Sequence, residues 1–222
     1  MSDTPVTDDP LGMGDPVFEG VYGPFSIPEQ DRREVLGYRL GLLTAAIAQA
    51  ALLAQWHWVG PQALWPWLLP LAAGLGLALR WIHIYLRPLH RALQLFWLVG
   101  CLGFAALAWA SGPGAMATSL AADGRWIWAI GPFFAALAGI GFKEFFCFRR
   151  PEAIGVTLLL PLALLGHLSG LLPTAACGSL MALEAGLLVV LTLRKFPMEA
   201  AADVGDKSVF AYLEGQRQPS NA

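Results

Sequence analysis

Six long apolar blocks, separated by short polar or charged breaks, take up most of the chain between residues 40 and 193. They cover residues 40–58, 64–81, 92–110, 126–146, 154–172 and 175–193. A helix needs about 20 apolar residues to cross the hydrocarbon of a bilayer. Lipid offers backbone amides no partner, so each block is predicted to be a helix. The pattern predicts an all-α, polytopic membrane protein with six transmembrane helices. The breaks at residues 59–63 and 173–174 carry no charge and suit only tight hairpins.

Charge then orients the bundle. With the six blocks threaded in order, every one of the 14 Lys and Arg residues except Arg125 falls on the side of the N-terminus. Cytoplasmic loops retain Lys and Arg, so both termini are expected in the cytoplasm or on a stromal-side equivalent. Tryptophan points the same way. Trp56, Trp58, Trp65, Trp67, Trp109, Trp126 and Trp128 fall at the predicted outer ends, and Trp81 and Trp97 mark the inner side. Amphipathic rings favour the headgroup level.

Composition supports a bilayer as solvent. The chain is 56% hydrophobic and 14% charged, against about 25% charged in soluble domains. A net charge of −2 argues against a nucleic-acid partner. Cys101, Cys147 and Cys177 are widely spaced and form neither a paired-cysteine metal motif nor a disulfide framework. Residues 1–31 carry several acids and no Lys or Arg. Three regions follow: an acidic mobile tail (1–25), a six-helix membrane domain (26–197) and a cytoplasmic C-terminal tail (198–222). Ser26 and Glu29 make a capping box, with Pro28 suited to a first turn, so a helix is expected from about residue 27 into the first span. A short surface helix is expected over 208–214.

The exits of the second, fourth and sixth spans hint at three similar hairpins: Arg80 precedes Arg87-Pro88 as Lys143 precedes Arg150-Pro151, and the sixth span ends Arg194-Lys195-Phe196-Pro197. Basic residues and proline at helix exits are common, so the hint is weak.

A few costly polar residues lie inside the blocks, and Glu184 is the most informative of them. Glu184 sits near the middle of the sixth block, where an acid costs about 3 kcal/mol. It is expected to be protonated or paired. Gly178, Ala182 and Gly186 form a small-residue stripe on the opposite face, suited to close helix packing. His167, in the fifth block, is the nearest candidate partner for Glu184, and no second histidine pairs with it for ligation. Arg80, His83, Arg87 and His90 recur at helical spacing and make a basic stripe if the helix continues past Pro88. Such a stripe suits anionic lipid headgroups or an acidic partner. The stretch from Gly141 through Lys143, Glu144 and Cys147 to Arg149 and Arg150 joins an acid–base pair, an aromatic patch and a thiol. Adjacent residues do not face each other on a helix, so Lys143 and Glu144 each need a partner elsewhere. No catalytic residue and no metal site is assigned. No nucleophile, metalloprotease or phosphate-binding motif is present, and cofactors stay unknown.

The block Gly141-Phe142-Lys143-Glu144-Phe145-Phe146-Cys147-Phe148 and the entry around Arg32-Arg33-Glu34-Val35-Leu36-Gly37-Tyr38-Arg39 resemble an uncharacterised, DUF2301-like family of integral membrane proteins, found mainly in cyanobacteria. The resemblance covers residues 18 to about 197. It implies a phototroph's plasma or thylakoid membrane. It carries over no reaction and no binding residues.

The expected function is that of a non-enzymatic accessory or assembly factor for membrane complexes, photosynthetic ones by the resemblance. Its partners are the bilayer, anionic headgroups and a membrane protein complex. Two rivals remain: a small-solute or proton-coupled transporter centred on Glu184, and a membrane enzyme or pigment- or haem-binding protein using His83, His90, Lys143 and Glu144.

Overall fold

A computed structural model describes residues 16–215. Residues 1–15 of the predicted acidic tail and the last seven of the C-terminal tail lie outside that range.

Among the described residues, six long helices stand side by side. They are α1 (Glu29–Trp58), α2 (Trp65–Trp81), α3 (Arg87–Ser111), α5 (Ile127–Phe148), α6 (Pro151–Leu168) and α7 (Thr174–Leu193). A shorter helix, α4 (Met116–Ala122), lies in the connection from α3 to α5. Five of the long helices are long and apolar enough to cross a membrane; α2, at 17 residues, is marginally shorter. Each packs on its neighbours in chain order, and α7 returns to α1. The result is a closed ring. Large apolar side chains on its outer surface, such as Leu95, Phe96, Leu98, Val99 and Leu102 along α3, are exposed. So large an apolar surface suits lipid, not water.

The first helix starts at Glu29, close to the expected residue 27, but not through the expected capping box: no side chain caps it, and Ser26 ends a strand. Pro28 is its N-cap, and Arg33 pairs with Glu29 one turn on (2.6 Å). Residues 29–39 form the polar first third of one continuous 30-residue helix.

Two crossings are set by glycine. A Cβ on Gly41 of α1 would lie 2.8 Å from the Gly74 carbonyl of α2, and one on Gly74 would lie 2.6 Å from the Gly41 carbonyl. On α3, a Cβ at Gly103 would come within 2.0 Å of the Ala129 carbonyl oxygen. Without a driving hydrophobic effect between helices in lipid, such close backbone approach is what holds them. The stripe expected to do this, Gly178–Ala182–Gly186, behaves differently. A Cβ at Gly178 or Gly186 meets no atom within 4 Å.

The basic end carries a small cap. Strands β1 (Val17–Gly20) and β2 (Gly23–Ser26) pair antiparallel across Val21-Tyr22. This corrects the reading of residues 1–25 as mobile tail for its last part. The hairpin holds because its Phe18 and Phe25 pack against Ile27, Val35 and Val204, which bury one another. After α7 come α8 (Ala200–Val204) and α9 (Ser208–Gly215), the latter at the position expected for the surface helix. Asp206 accepts from the Val21 amide (2.7 Å) and Ser208 from the Tyr22 amide (3.0 Å), tying the hairpin to the C-terminal segment. Gly20 is needed there, since its Cβ would lie 2.4 Å from both Asp206 Oδ1 and Ser208 Oγ.

Trp97 does not mark an interface. It sits ten residues into α3 and donates its indole N–H to the Ala72 carbonyl of α2 (2.9 Å).

Candidate functional site

The KEFF stretch at the end of α5 is the centre of a buried ionic network. Glu144 is fully buried. It accepts from Lys195 at the end of α7 (2.5 Å), from the Tyr38 hydroxyl of α1 (2.6 Å) and from Lys143 (3.1 Å). The adjacent Lys143 and Glu144 thus do touch, because the long lysine stem curls back, and Glu144 also finds its partners on two other helices. Lys195 Nζ lies 2.6 Å from Asp203 of α8. Asp203 in turn pairs with Arg39 of α1 (2.7 Å), whose guanidinium also donates to the Met198 (2.8 Å) and Glu199 (3.1 Å) carbonyls. Both lysines sit over the rings of Tyr38 and Phe148, Lys195 at 4.5 Å from the Phe148 centroid. Buried charges persist only when paired, and here each has a partner of opposite charge, Asp203 Oδ1 facing Lys195 without a hydrogen bond. A second knot lies beside it: Glu152 of α6 accepts from Arg194 (3.0 Å) and Arg150 (3.4 Å). The chemistry is that of a lock, fastening the cap to α1, α5 and α7.

Of these residues, Lys143, Glu144 and Arg150 are the sequence candidates. Tyr38, Arg39, Glu152, Arg194, Lys195 and Asp203 were not singled out. Tyr38 and Arg39 end the entry motif, but nothing in their spacing marks them as partners of α5.

The predicted basic stripe is split. The chain leaves helix at Ile82 and re-enters at Arg87, with Pro88 in the first turn of α3. Arg80, Arg87 and Arg91 are exposed at the basic end, as are Cys147 and Arg149. His90 Nε2 lies 2.6 Å from the Leu79 carbonyl. His83 lies 3.8 Å from Glu34, and burial pushes its pKa below the usual histidine value despite Asp31 and Glu34 nearby. Asp31, Glu34 and His83 bring three potential ligand atoms within 4.8 Å of one another. Lys207 Nζ, 2.7 Å from Asp31, already supplies that cluster with a cation.

The tie between hairpin and α9 has a definite pH signature. Burial pushes the Asp206 carboxyl up, but donors from Ser208 and from the Val21 amide outweigh it and hold the carboxyl below its ordinary value. A depressed acid stabilises the fold above its unfolded pKa, about 3.9 for Asp. That contribution is lost as pH falls below about 4. Hydrogen exchange at the Val21 and Tyr22 amides is expected to speed up, beyond the intrinsic pH trend, between about pH 4 and pH 2. Asp206→Asn should remove that step.

At mid-length the only acid in α7 meets an amide. Gln49 of α1 donates through Nε2 to Glu184 Oε2. Both residues are buried, at 2% and 0% exposure, and Gln49 Oε1 and Glu184 Oε1 have no hydrogen-bond partner among the described residues. His167 is elsewhere. It lies one residue from the end of α6, and its Nε2 is 2.8 Å from the Leu120 carbonyl of α4. The two sequence candidates are therefore not brought together.

On the side of Gln49 away from the basic end, the ring opens into an apolar cavity of about 140 Å³. Leu52, Leu68, Phe104, Ile130, Phe134 and Met181 line it, α4 lies over its end, and Gln49 and His167 are its main polar contacts. A wider groove, about 800 Å³, runs between α1 and α7 along Gly178, Ala182 and Gly186.

Apolar helices in a lipid-facing ring, locked at one end by buried ions, define a polytopic integral membrane protein. A family model described as "Uncharacterized integral membrane protein (DUF2301)" matches residues 77–212, and the chain belongs to that family. The match takes in Lys143, Glu144, Lys195 and Asp203. No curated protein and no solved structure matches the chain.

Proposed function

We propose that the protein crosses the membrane six times, with α2 as the shortest span and the basic end in the cytoplasm or its stromal equivalent. We further propose that it acts without catalysis, as an accessory or assembly factor for membrane protein complexes, in a thylakoid or plasma membrane. The observation that carries this reading is the cap. Hairpin, α8 and α9 form a platform fastened to the bundle by the Glu144–Lys195–Asp203–Arg39 chain. The platform presents apolar and aromatic tips at Val21, Tyr22, Tyr212 and Leu213, with Leu86 of the α2–α3 connection beside it. Such tips, fixed in place, suit docking to a partner. Exposed Arg80, Arg91 and Arg149 at the same end suit anionic headgroups.

A transport path is not favoured. The cavity ends at Gln49. Between it and the basic end lie Leu42, Leu75, Leu79, Ile140 and Leu188, each at most 1% exposed.

The test is site-directed photocrosslinking in native membranes. A crosslinker at Tyr22 is expected to give one discrete adduct with a membrane protein. One at Leu102, on the lipid-facing side of α3, should give none. Adducts equal at both positions, or absent at Tyr22, remove the platform reading. Labelling of Cys147 by an impermeant maleimide, expected only from the cytoplasmic side, tests the orientation.

A further inference from the structure

We propose that the apolar cavity between the ring helices binds a membrane-borne molecule ending in a hydroxyl-bearing ring, of the prenylated phenol or quinol class, which enters sideways from the bilayer between α1 and α7.

The polar anchor is Gln49. Its side chain is 2% exposed and lines the cavity. Its Nε2 is spent on Glu184, and its Oε1 has no hydrogen-bond partner among the described residues. A buried carbonyl without a donor costs about 1–3 kcal/mol, which an incoming O–H recovers. The free lone pairs select a donor, so a phenol or quinol fits where a quinone, with acceptors only, does not.

Size sets the head group. A dry cavity of about 150 Å³ lined by Leu, Ile and Phe takes a benzene-sized molecule. This one has about 140 Å³ and walls of Leu52, Phe104, Ile130 and Phe134. One six-membered ring fits; a tail must leave.

The groove supplies the exit. Leu53, Trp56, Thr174 and Gly178 line both the cavity and the α1–α7 groove, so the two spaces share a wall. On the groove side, Cβ atoms at Gly178 and Gly186 would meet nothing within 4 Å. The small-residue stripe is therefore free of helix packing and leaves a channel in which an isoprenoid or alkyl chain lies against α7. Ring in the cavity, hydroxyl on Gln49 and tail in the groove account for three features that the platform at the basic end leaves unused.

The experiment uses the full-length protein in nanodiscs, with 4-octylphenol, its methyl ether 4-octylanisole and octylbenzene as probes. Trp56 and Trp65 line the cavity, so their fluorescence reports binding. The phenol is expected to bind about tenfold more tightly than the methyl ether, the worth of one recovered hydrogen bond. Gln49→Leu should abolish that preference while octylbenzene still binds. Gly178→Phe, which fills the shared wall, should weaken all three probes at least tenfold. Equal affinity for phenol and ether in the wild-type protein overturns the anchor, and needs no variant to fold. Undiminished binding in Gly178→Phe overturns the lateral route.

Discussion

Lys195→Met is expected to destabilise the protein by about 3–5 kcal/mol, the usual cost of removing one partner from a buried ion pair. Lys195 is fully buried and bridges two acids, Glu144 at 2.5 Å and Asp203 at 2.6 Å. Methionine keeps most of the volume and loses the charge. Two carboxylates are then left in an apolar setting, with Lys143, Arg39 and the Tyr38 hydroxyl as their donors among the described residues. The loss should not be uniform. Met198, Glu199 and Asp203 are held to α1 by Arg39 and to α5 through Lys195, so α8 and the hairpin loosen first. Thermal unfolding in detergent gives the magnitude, and hydrogen exchange across residues 198–210 gives the location. Lys195→Met with Glu144→Gln should recover about half of the loss, because the uncompensated charge goes with the lysine. A non-additive cycle of this kind is the signature of direct contact. If Lys195→Met melts with the wild-type protein and α8 exchange is unchanged, the lock is not a stabilising element.

The outline of the fold was legible in the sequence and its wiring was not. Apolar blocks are read along one chain, and block length alone picks out helices in lipid. The five long apolar helices were readable in that way, whereas the polar start of α1 ahead of the first block was readable only from local signals around Pro28. Pairing across helices is a different matter. Glu184 stood out as a lone acid, but its partner is Gln49, an amide 135 residues away that the hydropathy pattern hides. Gln49 was the one readable signal missed, a fully polar amide midway along the first block. Asp203 was illegible for another reason. It lies in a segment of ordinary composition, and only the return of the chain to Arg39 buries it. The hairpin at Val17–Ser26 was lost among acids and prolines, since four-residue strands leave little periodicity to read.

The same limit applies to glycine, and it leads to the second large effect. Gly103→Leu should separate α3 from α5 at the cost of about 3 kcal/mol, the upper end for overpacking. Spacing made Gly178–Ala182–Gly186 the expected packing stripe. The contact is instead at Gly100 and Gly103, where a Cβ would lie 2.3 Å from the Phe133 amide nitrogen and 2.0 Å from the Ala129 carbonyl oxygen. Both neighbours are backbone and cannot rotate away, so even Gly103→Ala should cost more than 1 kcal/mol. Gly178→Ala, with nothing within 4 Å, should be neutral. The ordering Gly103→Leu, then Gly103→Ala, then Gly178→Ala in thermal stability checks the assignment. The consequence reaches beyond α3. Phe104 and Leu107 of that helix, with Ile130 and Phe134 of α5, wall the cavity. A helix pushed outward there widens it, so Gly103→Ala should admit a larger ring than the wild-type protein before it unfolds. Equal stability of Gly103→Leu and Gly178→Ala would mean that α3 is held by its lipid-facing side chains, and not by close backbone contact.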